Sequence, residues 1–250
     1  MDIFMNESEL NSLIIEIGKR LWMRGFVAAN DGNISVRVKR DEILITPTGV
    51  SKGFMTPEMI LKVNLSGESI TGHSVYKPSS ETKMHLEIYR QREDIQAVVH
   101  AHPPYATSFA VSGMAPNPCV LPEAVLTLGA VPVAPYGTPS TQRIPESIRS
   151  LVDQTDTILL ANHGALTMGE NLPTAFHRME TLEHASRITF LAMQMGRINV
   201  IPQDEIDQLM EIRKQMKIPG RIIVPKSEPV QIDGTMIETL ANRVAEKLGK

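Results

Sequence analysis

Apolar residues recur at helical spacing between positions 10 and 25, where Leu13, Ile14, Ile17 and Leu21 share one face and Gly25 stops the run. A turn-rich stretch at 29–33 separates this helix from strand-like alternation over 34–38. A second strand over 42–46 ends in the turn Thr46-Pro47-Thr48-Gly49. Segments 62–65 and 67–71 read as a hairpin around Ser66-Gly67, and Pro78 with Ser79 opens a helix to about 91, with Met84 and Ile88 on one face. The run 95–102 is a buried strand, and Pro103-Pro104 starts a short helix through 111. Beyond it the pattern predicts a helix at 120–129, a strand at 131–136, a helix at 144–152, a strand at 157–161 and a long helix at about 173–196. After 201 come a helix at 205–216, a Pro/Gly stretch, the apolar triplet Ile222-Ile223-Val224 and a last helix at 236–248. Strands and helices alternate irregularly, with hairpins among them. That predicts an α/β fold with a mixed sheet and helices on both faces, not a doubly wound parallel sheet. No clear linker is visible, so we expect one domain, residues 1–201, with a C-terminal extension, 202–250, packed on that domain or on a neighbouring subunit.

Composition narrows the function. Apolar residues make up 42% of the 250, enough for a packed core and against disorder as the main state. Lys and Arg number 25 against 28 Asp and Glu, so the basic excess expected of a nucleic-acid or anionic-membrane surface is missing. No apolar run reaches the roughly 18–20 residues of a membrane span. The single cysteine, Cys119, excludes an internal disulfide framework, and the acidic start lacks a basic region followed by an apolar one. A cytoplasmic protein without a secretory signal is the expectation.

The histidines carry the first chemical signal. His100 and His102 lie in Ala97-Val98-Val99-His100-Ala101-His102, and alternate strand side chains share a face, so both imidazoles can hold one metal ion. The alternative is two polar side chains at a strand end. His163 follows the apolar run 157–161 and precedes Gly164, which puts it in a turn at the end of a buried strand; a third imidazole would complete a catalytic zinc set with one open position. Glu81 follows Pro78-Ser79-Ser80 at the start of a helix, where a carboxylate also stabilises the helix dipole. The two serine hydroxyls, with free helix N–H groups, make an anion site that suits a phosphate without many basic residues. Gly32-Asn33 and Thr48-Gly49 are ordinary turns that would add an amide, a hydroxyl and an open N–H to such a site.

In order along the chain stand Gly-Asn-Ile-Ser-Val-Arg, Thr-Pro-Thr-Gly, Pro-Ser-Ser-Glu, Val-Val-His-Ala-His-Pro, Ala-Pro-Tyr-Gly-Thr and Ala-Asn-His-Gly. As an ordered set over about residues 8–195 they resemble the class II aldolase/adducin family. The resemblance implies a three-layer α/β/α sandwich with a central mixed, largely antiparallel sheet. It also implies a homotetramer with active sites between subunits. It assigns His100, His102 and His163 to the metal, Glu81 to acid/base work and resting-state ligation, and Asn33, Thr48, Gly49, Ser79 and Ser80 to the substrate phosphate. One divalent cation per subunit follows, zinc first because three imidazoles suit it, with manganese or cobalt as alternatives. The implied reaction is reversible cleavage of a ketose 1-phosphate, such as L-fuculose 1-phosphate, to dihydroxyacetone phosphate and an aldehyde. Dehydration, 4-epimerisation and decarboxylation of a sugar-acid phosphate are alternatives on the same metal site, and a non-enzymatic, adducin-like structural role is the reading from another class. The phosphorylated sugar is the expected partner, with no nucleic acid and no membrane.

The sequence departs from the sugar-phosphate aldolases in its tyrosines, which are Tyr76, Tyr89, Tyr105 and Tyr136, with none in the tail. Glu123 stands where a mid-chain tyrosine is expected and becomes the candidate catalytic group for the second product; a surface carboxylate after Pro122 is the alternative. His85, one turn after Glu81, reads as orienting it, Lys52 as a solvated loop lysine that a phosphate could approach, His73 as a solvated turn residue, and His177 and His184 as surface or subunit contacts. Trp22 reads as packing, Cys119 as inert, and the 14 methionines as filling core or interface gaps.

Overall fold

A computed structural model describes residues 5–72 and 74–228. The helices are α1 (Glu7–Met23), α2 (Thr82–Gln91), α3 (Pro104–Ser112), α4 (Pro122–Thr127), α5 (Arg143–Ile148), α6 (Leu172–Gln194) and α7 (Gln203–Gln215). The strands are β1 (Asn33–Lys39), β2 (Glu42–Ile45), β3 (Leu61–Asn64), β4 (Ala97–Ala101), β5 (Val133–Ala134), β6 (Thr157–Leu160) and β7 (Gly164–Gly169).

Among the described residues the strands form one sheet in the order β3-β2-β1-β4-β7-β6-β5, antiparallel except for the parallel β5–β6 pair. One face packs Ile34, Val36, Leu44, Val99, Ala101 and Ala165 against α1, α3, α4 and α6. The other packs Ile43, Ile45, Val98, Leu166 and Met168 against α2 and α5, whose contributions include Met84, Ile88, Ile144 and Ile148. The mixed, largely antiparallel sheet and the three-layer α/β/α arrangement are therefore as expected. Strand residues buried on both sides explain why the central sequence runs are nearly continuously apolar.

Four expectations change. Helix α1 starts at Glu7, earlier than the apolar spacing alone showed, because Asn6 accepts from Glu9 N–H at 3.1 Å while the Glu9 carboxylate accepts from Asn6 N–H at 2.7 Å, a reciprocal capping box. Helix α2 starts at Thr82, not Pro78, so Ser79 and Ser80 precede it and Glu81 is its N-terminal flanking residue. The second arm of the 62–71 hairpin is reduced to an isolated bridge between Val63 and Ser69. Strand β7, which the sequence reading left out, lies between β4 and β6.

Beyond residue 201, α7 lays the fully buried Ile206 beside Cys119 and Val125 of the α4 region. The chain then runs back along the sheet edge, where Asp156 N–H donates to Arg221 O and Ala130 N–H donates to Ile223 O. The expected helix at 236–248 and His73 lie outside the described residues. No helix among the described residues is long and apolar enough to cross a membrane.

Candidate metal centre

Strand alternation points His100 toward the α2 layer, opposite Asn33 on β1 and Leu166 on β7. His102 follows two residues later, just beyond the end of β4, and the β6–β7 turn brings in His163. The imidazole centroids stand 5.0 Å apart for His100–His102, 4.7 Å for His100–His163 and 5.2 Å for His102–His163. One ligand atom from each lies within 4.8 Å of the others, so the three rings predicted from distant segments do converge.

Two glycines permit this approach. Gly32 has φ +71°, and a Cβ there would stand 2.8 Å from His100 O. A Cβ at Gly164 would stand 2.5 Å from Ala101 O and 2.6 Å from His102 Cδ2. Any side chain at 164 would press into the imidazole pair.

The ring protons are set by their outer partners. His100 Nδ1 faces Ala165 O at 2.9 Å, and a carbonyl only accepts, so Nδ1 carries the proton and Nε2 presents a lone pair. His102 Nδ1 faces the Asp31 carboxylate at 3.5 Å, which favours the same tautomer. Yet the two Nε2 atoms stand only 3.2 Å apart. Two lone pairs at that distance repel unless a cation lies between them, and ligand–metal distances of about 2.0–2.1 Å in tetrahedral array put imidazole nitrogens at about this spacing. The donor set therefore fits a divalent metal ion.

Glu81 closes the cluster, with Oε1 2.9 Å from His163 Nε2 and Oε2 3.5 Å from His100 Nε2. Burial pushes its carboxyl up, but the His100 and His163 imidazoles and the Asn33 amide outweigh burial and hold it well below the usual carboxylate range. Burial pushes His100 and His102 down, against the attraction of Glu81 and Asp31, which favours the neutral form that a metal ligand needs.

The centre opens into a cleft of about 220 Å³. Asn33, Thr48, Ser79, Ser80, Glu81, His102 and His163 line it, with His100 buried at its base. Gly49 sits next to Thr48 on an exposed loop but is not part of the cleft wall. The turn before α2 uses its own donors: Glu81 N–H points to Ser79 Oγ at 3.3 Å and Thr82 N–H to Ser79 O at 3.1 Å. Glu123 lies on the exposed first turn of α4 and does not line this cleft. A larger cleft of about 360 Å³, walled by Phe109, Met114, Val131 and Met193, contains none of the clustered imidazoles.

Two site features are not visible in the sequence: Asp31 faces His102, and Pro139 reaches the rim. The solvated loop position expected of Lys52 is corrected. Lys52 is only 1% exposed, and its ammonium donates to Val50 O at 2.8 Å and Asn30 O at 3.1 Å, tying together two loops that flank the cleft. His177 and His184 are exposed on α6, and the described histidines outside the trio form no second metal cluster.

Comparison with known proteins agrees with this geometry. Residues 12–190 match the family described as Class II Aldolase and Adducin N-terminal domain. The chain is 33% identical over 208 residues to a 3-oxo-tetronate 4-phosphate decarboxylase of Pectobacterium atrosepticum, covering 82% of this chain and 94% of that one. It is 34% identical over 177 residues to an L-fuculose phosphate aldolase of Methanococcus maripaludis, covering 71% and 94%. A solved L-fuculose 1-phosphate aldolase superposes with a TM-score of 0.76 at 31% identity, covering 85% of this chain and 99% of that one.

Proposed function

The chain belongs to the class II aldolase and adducin family, and on that premise we propose that it is a metal-dependent lyase: an aldolase that reversibly cleaves a ketose 1-phosphate, such as L-fuculose 1-phosphate, to dihydroxyacetone phosphate and an aldehyde. The observation that carries this reading is the Glu81 carboxylate set against three converging imidazoles at the edge of a hydroxyl-lined cleft.

In this proposal His100, His102 and His163, joined at rest by Glu81, hold one divalent cation, zinc first and manganese or cobalt next, whose Lewis acidity stabilises the negative charge left as the carbon–carbon bond breaks. Thr48, Ser79 and Ser80 offer hydroxyls to the substrate phosphate, Asn33 the amide hydrogen that rests 3.5 Å from Ser79 Oγ, and Gly49, on the exposed loop beside the cleft, its N–H. Glu81 moves the proton at the carbon beside the carbonyl, and must leave the imidazoles to do so. Glu123 takes the proton of the hydroxyl that becomes the aldehyde carbonyl as the carbon–carbon bond breaks. Because it lies outside the cleft of its own chain, it serves a neighbouring copy in a homotetramer with sites between subunits.

Decarboxylation of a 3-oxo sugar-acid phosphate is the second reading. It is favoured by the decarboxylase relative and by the cleft's carboxylates, which among the described residues are Asp31 and Glu81. Loss of carbon dioxide leaves the same charge beside the carbonyl, and Glu81 alone could supply the returning proton. The test is product analysis on a panel of ketose 1-phosphates and 3-oxo sugar-acid phosphates. Aldehyde from a ketose 1-phosphate supports the aldolase; carbon dioxide from the keto acids with no aldehyde from any ketose replaces it. His102→Ala should lose metal and turnover together, and Glu81→Gln should keep metal while turnover falls by at least about 100-fold.

A further inference from the structure

Behind Glu81 the protein interior holds a line of polar side chains that no metal ligation requires. Asn33 Nδ2 donates to Glu81 Oε2 at 2.7 Å. Asn33 Oδ1 stands 2.6 Å from His85 Nε2, His85 Nδ1 stands 2.6 Å from Ser35 Oγ, and Ser35 Oγ stands 2.9 Å from Tyr89 Oη. His85 and Ser35 are fully buried, Asn33 is 2% exposed and Tyr89 1%. A polar chain this deep is costly unless every member is paired.

Its direction is fixed from the active-site end. A carboxylate oxygen only accepts, so the Asn33 amide nitrogen must face Glu81 and its oxygen must face His85. His85 Nε2 is then the donor, and Nδ1 of the neutral ring accepts from the Ser35 hydroxyl. Ser35 in turn accepts from Tyr89, whose ring carries the Arg37 guanidinium 4.9 Å above its centre. The hydrogen bonds run in a single sense, Tyr89 to Ser35 to His85 to Asn33 to Glu81, with a longer branch from the Asn33 amide to Ser79 Oγ at 3.5 Å. The register that pairs Asn33 with His100, and Ser35 with Val98, aims both β1 side chains at α2, where His85 and Tyr89 lie one turn apart.

We propose that His85 is a positioning residue: held in one tautomer by Ser35 and Tyr89, it locks the Asn33 amide that holds Glu81, so that the carboxylate keeps one fixed anchor when it leaves the imidazoles to act. The proposal rests on the lyase reading for its kinetic consequence, but not for the hydrogen-bond order itself. Burial pushes the His85 imidazole down to about 4, in keeping with a neutral ring.

The test uses the metal-loaded enzyme with His85→Phe, His85→Gln and Ser35→Ala. The glutamine amide can reproduce the donor to Asn33 and the acceptor for Ser35, whereas phenylalanine removes both. His85→Phe should lower kcat by about tenfold or more, with metal content and KM within about twofold of wild type, and His85→Gln should recover most of the loss. The His85→Phe/Asn33→Ala double variant should be no slower than Asn33→Ala, because both act through one path. An unchanged kcat in His85→Phe, or His85→Gln no better than His85→Phe, overturns the proposal. If His85→Phe fails to fold, the kcat of Ser35→Ala decides, with a fall of about threefold or more expected and wild-type kcat overturning it. A second readout does not depend on substrate. Imidazole ¹⁵N shifts of the metal-free protein should give His85 as the Nε2–H tautomer, with Ser35→Ala populating both forms. A His85 ring protonated at Nδ1 overturns the proposal, even if the lyase reading itself has failed in the product panel.

Discussion

Lys52 is a charged side chain placed where charge is poorly solvated. Its stem lies against α1, where a Cβ added at Gly18 would stand 2.8 Å from Lys52 O and 3.5 Å from Lys52 Cβ. Its ammonium reaches two carbonyls instead of water. Burial lowers it from 10.5 to about 8, opposed by Asp31 and Glu81. Between those two values the unfolded chain binds a proton that the folded chain does not. Stability from this group is therefore complete above about pH 10.5 and is lost as the pH falls toward 8. Lys52→Met has no such proton. The stability of wild type relative to Lys52→Met should therefore rise by about 2 kcal/mol between pH 8 and pH 10, measured by urea unfolding at each pH. A difference that stays flat with pH would mean that the ammonium is solvated. The sequence suggests a solvated loop for Lys52 because it lies just beyond the turn Thr48-Gly49. What buries it is a glycine on another element, 34 positions upstream, and that cannot be seen locally.

At the level of elements, α3 shows how a catalytic strand end is fixed. It begins at Pro104, two residues after His102, with no side-chain cap of its own. Glu183 of α6 supplies one from across the core, accepting from Tyr105 N–H at 3.0 Å and Ala106 N–H at 2.9 Å. Burial pushes the Glu183 carboxyl up, against those two donors. Glu183→Ala should therefore lower unfolding stability by about 1–2 kcal/mol, with Glu183→Gln losing less; urea midpoints measure both, and equal midpoints for all three proteins would remove the capping role. Most elements were legible in the sequence, because amphipathic spacing and punctuating Gly and Pro residues carried them. Strand β7 was not. Ala165-Leu166-Thr167-Met168 shows little alternation because both of its faces are buried, and it lies between two glycines and directly behind a turn. The early start given to α2 had a different cause: Pro78-Ser79 is a good helix opening, but Ser79 spends its hydroxyl and carbonyl on Glu81 and Thr82 N–H groups. The three imidazoles were visible from strand periodicity and turn position. The Asn33–His85 pairing was not, since it depends on the packing of α2 over β1.

For the whole molecule, the question is whether one chain holds a complete lyase site. Among the described residues the cleft wall contributes two carboxylates, and Asp31 is already turned toward His102, which leaves Glu81 as the acid/base candidate. Retro-aldol cleavage produces two fragments, each needing a proton managed, whereas decarboxylation needs one. If the aldolase reading holds, a second group is needed, and Glu123, which does not line the cleft of its own chain, is the candidate to serve another copy's cleft. Subunit mixing tests this directly. Glu81→Gln and Glu123→Gln should each be nearly inactive as homo-oligomers. When the two are mixed by co-refolding, a site is whole only where Glu81 comes from one parent and Glu123 from the other, which random assembly into a cyclic tetramer gives at about one site in four. Activity should therefore return to about a quarter of wild type in the mixture. No recovery from two inactive parents would mean that both groups act within one chain. Full activity of the Glu123→Gln homo-oligomer would leave Glu81 as the sole acid/base group, as the decarboxylation chemistry requires.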